Sequence, residues 1–272
     1  MPTSSGFGEY VLATGEAAVY RLTLLHRAHA ANTKALLQRS GLQAGMRVAD
    51  LGCGVGLVTR VIADLVGTDG TVVGVDTSEQ QLQQARQRLE ADHVANTTFV
   101  RADATNSGLP RGSFDLVYSR FLLMHLTQPG AAITEMRALL RPGGTLVCED
   151  ADLTAAETIP PSAINALANL FGKLGPIRGV DYAIGRRLYH LVLQAGFPDP
   201  NICIYRRAFA TGEAKFLPEL SVREAASALI DAAIISPDDL HSTLADMHRA
   251  AEDPNVLALF PPVTQIWATK PI

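Results

Sequence analysis

The sequence predicts an α/β fold in which helices cover both faces of a parallel sheet. Short apolar segments alternate with helical segments between residues 46 and 150. This alternation is typical of strand–helix–strand units, in which consecutive strands run parallel. Hydrophobic residues make up 47% of the 272 residues and charged residues 18%, so the chain can bury a large core. Wholesale disorder is therefore not expected.

The elements follow one another at short intervals. A helix is predicted over about residues 16–39, with Gly41 as its C-cap. Ser78, with Gln81 three residues later, predicts a capping box at the start of another helix. The predicted strands cover residues 46–52, 71–76, 97–103, 113–119, 144–150, 201–209 and 263–270. The other predicted helices cover residues 57–66, 79–91, 131–140 and 185–197, with further helix inside 151–180 and 211–255.

The regular alternation ends after Asp150, and this change predicts the domain organisation. Residues 1–43 are expected to form an N-terminal helical extension, and residues 44–272 a single sheet-based domain. Two helical insertions, at about 151–180 and 211–258, are expected to form a cap on that domain. A serine followed by a proline, Ser236–Pro237, predicts a helix start inside the second insertion.

Charge and cysteine spacing argue against several classes of protein. The net charge of −4 does not suit a protein that binds nucleic acid mainly by electrostatic attraction. The three cysteines lie far apart without any Cys/His metal spacing, so a disulfide framework is not expected. The first residues lack a signal-peptide pattern, and no apolar stretch approaches the ~20 residues that span a bilayer. We therefore expect a cytoplasmic protein with neither nucleic-acid nor membrane partners.

The stretch VADLGCGVG, residues 48–56, predicts a ligand-binding loop after the first strand. Glycines at alternate positions let the backbone turn tightly and let a ligand approach its N–H groups. A P-loop is excluded because no Gly-Lys-Ser/Thr follows, and a dinucleotide fingerprint would need glycine where Leu57 stands. On this motif alone, a glycine-rich turn without a ligand stays open.

Carboxylates stand at the ends of three successive parallel strands. Asp50 ends the first, Asp76 ends the second, and Asp103 follows the third. Ligands of such sheets bind at the carboxyl ends of the strands, where Asp76 could accept from both hydroxyls of an adenosine ribose. Asp103 could accept from the exocyclic amine of adenine, while the amide of Ala104 bonds a ring nitrogen. For Asp76, a solvated loop aspartate or a helix-start residue is the alternative.

Two further stretches, SFDLVYSRFLLMHL (113–126) and LLRPGGTLVCED (139–150), complete a recognisable series. The chain resembles the class I S-adenosylmethionine-dependent methyltransferases, and among them the small-molecule branch related to the ubiquinone/menaquinone methyltransferases. The resemblance is strong over about 44–150 and extends to 183–209 and 263–270. It implies a Rossmann-like sheet of seven mostly parallel strands, the last one antiparallel. Residues 210–262 depart from the short hairpin that usually joins the last two strands, which suggests a helical cap.

The resemblance also implies how the chain binds S-adenosylmethionine. Asp50 would reach the α-amino group, while Arg120 and the backbone of Ser119 would face the methionyl end. Asp76 would hold the ribose hydroxyls. The remaining contacts would come from Gly52, Cys53, Gly54, Gly56, Thr77, Asp103 and Ala104.

Two tyrosines of the extension, Tyr10 and Tyr20, are further candidates. Their rings could close over the methionine end and contact the sulfonium by a cation–π interaction. Ordinary helix packing is an equally good interpretation of both.

Methyl transfer from a sulfonium is an in-line displacement, so placing the acceptor matters more than acid–base chemistry. A general base helps only hydroxyl and some carbon acceptors. His125 is the candidate base because it follows the fourth strand, although packing or helix capping explains it equally well. Three acidic residues after the fifth strand, Glu149, Asp150 and Asp152, could face the same pocket or remain in a solvated loop. No set of carboxylates converges on a metal, and none is expected.

We therefore expect S-adenosylmethionine-dependent methylation of a small hydrophobic metabolite at O, N or C, of the kind found in secondary metabolism. The partner would be this small-molecule substrate, and association as a homodimer stays open. A non-catalytic S-adenosylmethionine-binding protein is one alternative. A nicotinamide-dependent oxidoreductase is another, which Leu57 and the absence of a Tyr-x-x-x-Lys pair disfavour.

Overall fold

The structure, a computed structural model, describes residues 16–272 of the chain. Strands and helices alternate along this part. The strands are β1 (Arg47–Leu51), β2 (Thr71–Asp76), β3 (Thr97–Arg101), β4 (Phe114–Arg120), β5 (Leu140–Ala151), β6 (Glu157–Ile159), β7 (Asn201–Tyr205), β8 (Ala208–Phe209), β9 (Leu257–Leu259) and β10 (Val263–Thr269). The helices are α1 (Glu16–Arg39), α2 (Leu57–Val66), α3 (Glu79–Ala91), α4 (Pro129–Leu139), α5 (Ala166–Arg178), α6 (Leu188–Gln194), α7 (Leu217–Glu224), α8 (Ala226–Asp231) and α9 (Pro237–Glu252).

The main sheet contains seven strands in the order β3-β2-β1-β4-β5-β10-β7. The first five strands of the chain pair in parallel, and β10 runs antiparallel between β5 and β7. This confirms the predicted mostly parallel sheet with an antiparallel last strand. Leu51, the last residue of β1, lies beside Val75 of β2 and Ser119 of β4. The carboxyl ends of these strands therefore meet at one edge, where the predicted loop follows β1.

Helices cover both faces of the main sheet, as the apolar strands predict. On one face, buried residues of α1 and α2, such as Leu36 and Ile62, pack with Val48 and Leu116 of the strands. On the other face, buried residues of α4, α5 and α6 form a larger core that includes Ile133. Burying both sides of the strands supplies the main stabilising free energy of the fold.

Two predicted helix starts are confirmed. The Ser78 hydroxyl accepts a hydrogen bond from the backbone N–H of Gln81 at 3.3 Å. The Ser236 hydroxyl accepts from the N–H of Asp239 at 3.1 Å, with Pro237 as the first residue of α9. Each serine satisfies one of the N–H groups that a helix start leaves without a partner.

The start of β5 differs from the prediction. The strand begins at Leu140, directly after α4, whereas the sequence predicts it from residue 144. The pairing with β4 explains the extra residues, because its register jumps from Phe114↔Leu140 to Leu116↔Thr145. The Arg-Pro-Gly-Gly segment is therefore a bulge within the ladder and does not interrupt it.

The predicted strand 201–209 is divided between two sheets. β7 stays at the edge of the main sheet, while β8 joins β9 and β6 in a small antiparallel sheet that the sequence did not predict. Arg206 marks the division, since its guanidinium donates to the carbonyls of Phe260 and Ala155 and to Glu157. Strands of two or three residues are too short to show a period of two in the sequence.

Helices from distant parts of the chain cover the carboxyl edge of the sheet. α1 packs on α7 through Leu24 and Ala28, which contact Leu217 and Phe260. The division of the chain into an extension, a domain and a cap stays a prediction. None of the helices between residues 16 and 272 has the length and apolar character needed to cross a bilayer.

Candidate cofactor and acceptor site

The glycine loop after β1 has a left-handed backbone that requires glycine. Gly52, Gly54 and Gly56 have φ angles of +73°, +54° and +75°. The N–H groups of Gly52 and Cys53 donate to the carbonyl of Val75 at 2.8 and 3.0 Å, which ties the loop to β2. A side chain at position 52 would come within 2.8 Å of Leu122. The loop is thus a tight turn packed against Leu122, with no room for a side chain at position 52.

Asp76 links the glycine loop to the end of β2. One carboxylate oxygen accepts from the N–H of Gly54 at 2.9 Å, and the other accepts from the N–H of Ser78 at 2.9 Å. Burial raises the pKa of Asp76, while these bonds stabilise its charged form. Each carboxylate oxygen can accept a further hydrogen bond, so Asp76 can still receive ribose hydroxyls. The link to Gly54 is a contact that the sequence did not predict.

Asp50 is 2% exposed at the base of the same loop. The hydroxyl of Thr59 donates to it at 2.6 Å. Burial raises the pKa of Asp50 to about 7, and the positive charge of Arg120 partly opposes this effect. A ligand cation placed beside Asp50 would favour its charged form, which suits the α-ammonium of an amino acid.

Asp103 lies beyond β3 in a short turn. Its Oδ1 accepts from the N–H of Thr105 at 2.7 Å and from the Thr105 hydroxyl at 2.8 Å. These bonds fix the carboxylate while Oδ2 keeps its accepting capacity for a ligand amine. Ala104 is buried beside it.

Arg120, the last residue of β4, contacts α1. Its guanidinium donates to the hydroxyl of Thr33 at 3.1 Å and lies 3.4 Å from Nδ1 of His26. It also stacks over the ring of Phe121, 5.5 Å from the centroid. Among the described residues no carboxylate lies within ion-pair distance of Arg120, so its charge is available to an anionic group of a ligand.

One cavity of about 430 Å³ joins all these groups to the helices above the sheet edge. This volume lies in the range of small-molecule sites. The wall formed by the strand ends carries the carboxylates and Arg120. The opposite wall is mainly apolar and comes from α1, α5, α7 and the turn before β10. Its apolar residues are Leu22, Leu25, Leu153, Leu167, Phe171, Val180, Leu217, Pro218, Phe260, Pro261 and Val263.

Most of the predicted site residues line this cavity. They are Asp50, Gly52, Cys53, Gly54, Asp76, Thr77, Asp103, Ala104, Arg120 and His125. Three others do not line it. Gly56 faces α3, where an added side chain would come within 3.0 Å of Ala85. Ser119 is buried inside β4, and Tyr20 is 50% exposed on α1. Tyr10 lies outside the described residues.

His125 belongs to a 3₁₀ turn over Leu123–His125. The carboxylate of Asp150 accepts from the N–H of Leu123 at 2.8 Å and so holds this turn against β5. Burial, together with the charges of Arg21 and Arg178, lowers the pKa of His125 to about 3. The imidazole is therefore neutral at ordinary pH and a weak base, since an efficient general base has a pKa near the working pH.

Glu149 and Asp150 lie inside β5 and Asp152 follows it; all three are buried and do not line the cavity. Glu149 accepts from the hydroxyl of Tyr118 at 2.6 Å and from Gln265 at 2.7 Å. Asp152 binds Arg186 and the N–H of Thr154. These carboxylates hold neighbouring elements together. Between residues 18 and 272, no three His, Cys, Asp or Glu side chains are arranged to hold a metal ion.

The sequence did not predict the contributions of α1 and the apolar wall. Thr33 and His26 reach Arg120 across more than 85 positions of chain, and Phe260 comes from the far end of the sequence. Such contacts leave no local spacing pattern. The only available signal was the apolar character of the helical segments, which core packing explains equally well.

The donors and acceptors of the cavity wall fit S-adenosylmethionine. Its ammonium, ribose hydroxyls and adenine amine are donors, and the wall offers the carboxylates of Asp50, Asp76 and Asp103 as acceptors. Its carboxylate is an acceptor, and Arg120 is a donor. The fit rests on the charges and hydrogen-bonding capacity of these side chains.

Comparisons with known proteins agree with this fit. Residues 48–144 match the family model described as a methyltransferase domain. The demethylmenaquinone methyltransferase of Staphylococcus aureus is 30% identical to this chain over 68% of this chain and 73% of its own length. Two other curated relatives are matched over 51% and 58% of their own lengths.

Solved structures share the fold. The phosphoethanolamine N-methyltransferase 2 of Haemonchus contortus, in complex with phosphomonomethylethanolamine and S-adenosylhomocysteine, has a TM-score of 0.60 at 19% identity, covering 92% of this chain and 57% of that chain. The [4+2]-cyclase SpnF has a TM-score of 0.53 at 18% identity, covering 98% of this chain and 86% of that chain. The chain therefore belongs to the class I S-adenosylmethionine-dependent methyltransferases related to the ubiquinone/menaquinone methyltransferases.

Proposed function

We propose that this chain methylates a small, predominantly apolar acceptor that binds between the strand-end residues and the helices above them. One observation carries the proposal: a single cavity joins the carboxylate-bearing wall to the apolar wall. A cofactor held on the first wall and an acceptor held against the second would therefore be adjacent. Adjacency and alignment are the main requirement for methyl transfer.

We assign the cofactor's groups to residues by charge. Asp103 and Ala104 take the adenine, and Asp76 takes the ribose. Asp50 takes the α-ammonium and Arg120 the carboxylate. This assignment is supported by the register, since Asp50 and Arg120 stand near the ends of the paired strands β1 and β4. A carboxylate and a guanidinium on neighbouring strands suit the zwitterionic end of an amino acid.

When bound, S-adenosylmethionine supplies an electrophilic methyl group on its sulfonium. The chain's own residues orient the acceptor and exclude water. Leu217, Phe171 and Phe260 present apolar surface on the acceptor side, and α1 covers it with Leu22 and Leu25. Flat aromatic rings bury well against such side chains. The Staphylococcus aureus relative, a demethylmenaquinone methyltransferase, also favours an apolar aromatic acceptor.

His125 is the proposed polar contact to the acceptor. Its imidazole stays neutral because burial lowers its pKa to about 3. We infer that it forms a hydrogen bond that orients the acceptor and that it removes no proton. The cavity therefore suits an acceptor that is nucleophilic at neutral pH without a strong protein base.

Binding without methyl transfer is the alternative function. This chain shares its fold with the [4+2]-cyclase SpnF. Because a fold alone does not determine chemistry, this likeness is the reason to consider the alternative. The nicotinamide alternative has no comparable support.

The test is transfer of a radiolabelled methyl group from S-adenosylmethionine to a panel of small hydroquinones, phenols and apolar amines. We expect labelled product that extracts into organic solvent, formed together with an equal amount of S-adenosylhomocysteine. Asp76→Asn should abolish both products. Tight binding of S-adenosylhomocysteine, together with conversion of a panel compound into a product without the labelled methyl group, would reject methyl transfer and favour the alternative.

A further inference from the structure

The N-terminal helix α1 contacts Arg120, which belongs to the cavity wall formed by the strand ends. Thr33 accepts one guanidinium hydrogen bond at 3.1 Å, and Nδ1 of His26 lies 3.4 Å from the other terminal nitrogen. Thr33 is 1% exposed, so its hydroxyl is enclosed against β4. A guanidinium has five N–H donors in a rigid plane. Two neutral acceptors on one side therefore fix the plane and leave the remaining donors for a ligand.

α1 is itself fixed to the sheet at this point. Gln265 of β10 donates to the carbonyl of Asn32 at 3.2 Å and to Glu149 at 2.7 Å. Arg39, near the end of α1, donates to the side-chain oxygen of Gln265 at 2.8 Å. Asn32, which precedes Thr33 in α1, is thus bonded to β10, the strand next to β5. Thr33 therefore holds its position independently of a ligand.

The charge of His26 is consistent with this role. Burial, together with the charge of Arg120, lowers the pKa of His26 to about 4. The ring is neutral at ordinary pH, so its Nδ1 can accept from Arg120. A protonated ring would repel the guanidinium instead.

We propose that Thr33 and His26 are positioning residues, which orient the Arg120 guanidinium to receive the carboxylate of S-adenosylmethionine. This inference rests on the proposed assignment of the zwitterionic end. It extends the cofactor site to the N-terminal helix, which the glycine loop and strand-end carboxylates do not include. Outer-shell partners of this kind orient the group that touches the ligand.

The experiment compares two ligands by calorimetry on the full chain. S-adenosylhomocysteine carries the carboxylate, and its decarboxylated analogue lacks only that group. Thr33→Val removes the acceptor and keeps the shape of the side chain. We expect Thr33→Val to weaken binding of S-adenosylhomocysteine by about tenfold, the lower end for removing a residue that orients a ligand-binding group. Binding of the analogue should be unchanged. Thr33→Ser should restore the affinity, because it keeps the hydroxyl.

The controls separate positioning from folding. Thr23→Val is the same change on α1 at a residue that makes no hydrogen bond to Arg120, and both affinities should stay as in the wild type. Arg120→Gln should weaken S-adenosylhomocysteine more than Thr33→Val does, again sparing the analogue. Should Thr33→Val fail to fold, His26→Phe provides the same comparison, since it removes Nδ1 and keeps a flat ring.

Equal weakening of both ligands by Thr33→Val and His26→Phe would show a purely structural role and overturn the inference. Unchanged affinity for S-adenosylhomocysteine would overturn it as well, and would leave the proposed methyltransferase site intact. Wild-type protein that binds neither ligand would instead reject the proposed site, and the inference with it.

Discussion

The buried environment of Asp50 changes the pH range in which its carboxyl group is charged. Because burial raises its pKa to about 7, Asp50 is near the midpoint of its titration at neutral pH before a ligand binds. A carboxyl with a raised pKa is charged only above that pKa. A bound ammonium favours the charged form, so ligand affinity depends on pH in the range just below 7.

We therefore predict that S-adenosylhomocysteine binds more weakly as the pH falls below 7. The dissociation constant should approach a tenfold rise for each pH unit between about pH 6.5 and pH 5, because one proton must leave Asp50 on binding. Calorimetry across this range provides the measurement. Methylthioadenosine lacks the ammonium and should show no such slope, and Asp50→Asn should abolish the slope for S-adenosylhomocysteine. A flat response of S-adenosylhomocysteine in the wild type would contradict the assignment.

The sequence reached the strand-end residues of the site but not their supports. Asp50, Asp76 and Asp103 could be predicted because a carboxylate at the end of an apolar strand is a local pattern. Thr33 could not, because its contact with Arg120 joins residues 87 positions apart. Gly56 was expected to contact the ligand, and its place behind the loop depends on the packing of α2 against α3, which no spacing reveals.

The loop and helix around Gly56 illustrate how elements position the site. Gly56 is the N-cap of α2 with φ +75° and ψ +17°, and an added side chain would meet Ala85 of α3 at 3.0 Å. Gly179, the C-cap of α5, has φ +67° and ψ +25°, but an added side chain would meet only Thr127 at 4.0 Å. The two glycines share the left-handed conformation and differ in packing.

This pair gives a matched prediction for the free energy of unfolding. Gly179→Ala should cost about 1–2 kcal/mol, the strain of a left-handed backbone with a side chain. Gly56→Ala should cost about 1–3 kcal/mol more, because it also overpacks the contact with α3. Urea unfolding of the two variants measures the difference. Equal losses would mean that α3 moves freely and does not hold the glycine loop.

A second element-scale prediction concerns the 3₁₀ turn that carries His125. With a pKa of about 3 the imidazole cannot act as an efficient base, so it should contribute by orientation. His125→Asn should lower kcat by less than about a hundredfold, the lower limit for general acid–base catalysis. The pH profile of kcat for the wild type should show no inflection between about pH 6 and pH 7 that disappears in His125→Asn. A larger loss together with such an inflection would restore His125 as the base.

Elements with a strong local signal were predicted within a few residues, and those shaped by pairing were not. α2, α3, β2 and the serine caps of α3 and α9 agree with the prediction. The early start of β5 and the division between β7 and β8 depend on strand partners. A register jump or a change of sheet is decided by tertiary contacts, which override local propensity.

At the scale of the whole molecule, α1 and α7 close over the cavity from opposite ends of the sequence. Arg21 of α1 and Glu224 of α7 form an ion pair at 2.7 Å whose side chains are 5% and 7% exposed. Buried ion pairs are costly to break, because the remaining charge is left without a partner in a place from which water is excluded.

We predict that Glu224→Ala lowers the free energy of unfolding by about 3 kcal/mol or more. The exposed pair between Arg27 of α1 and Glu213, which lies just before α7, provides the control. Glu213→Ala should cost less than about 1 kcal/mol. The double variant R21M/E224M should recover most of the lost stability, because apolar side chains can replace the pair. Thermal and urea unfolding provide both values, and a Glu224→Ala loss as small as that of Glu213→Ala would mean that the helices close without this contact.

The overall architecture could be predicted as far as the family resemblance extended. The seven-stranded sheet and its antiparallel last strand followed from it, whereas the small sheet and the arrangement of the helices above the site had no pattern to carry them. The apolar wall of the cavity is built from these same helices. This is why the sequence indicates the cofactor in more detail than the acceptor.

A crystal structure with S-adenosylhomocysteine bound tests the central claim most directly. We expect adenine at Asp103, ribose hydroxyls on Asp76 and the amino-acid end between Asp50 and Arg120. The sulfur should face the space bounded by Phe171, Leu217 and Phe260. Electron density for the ligand elsewhere, or a sulfur directed away from that apolar wall, would contradict it.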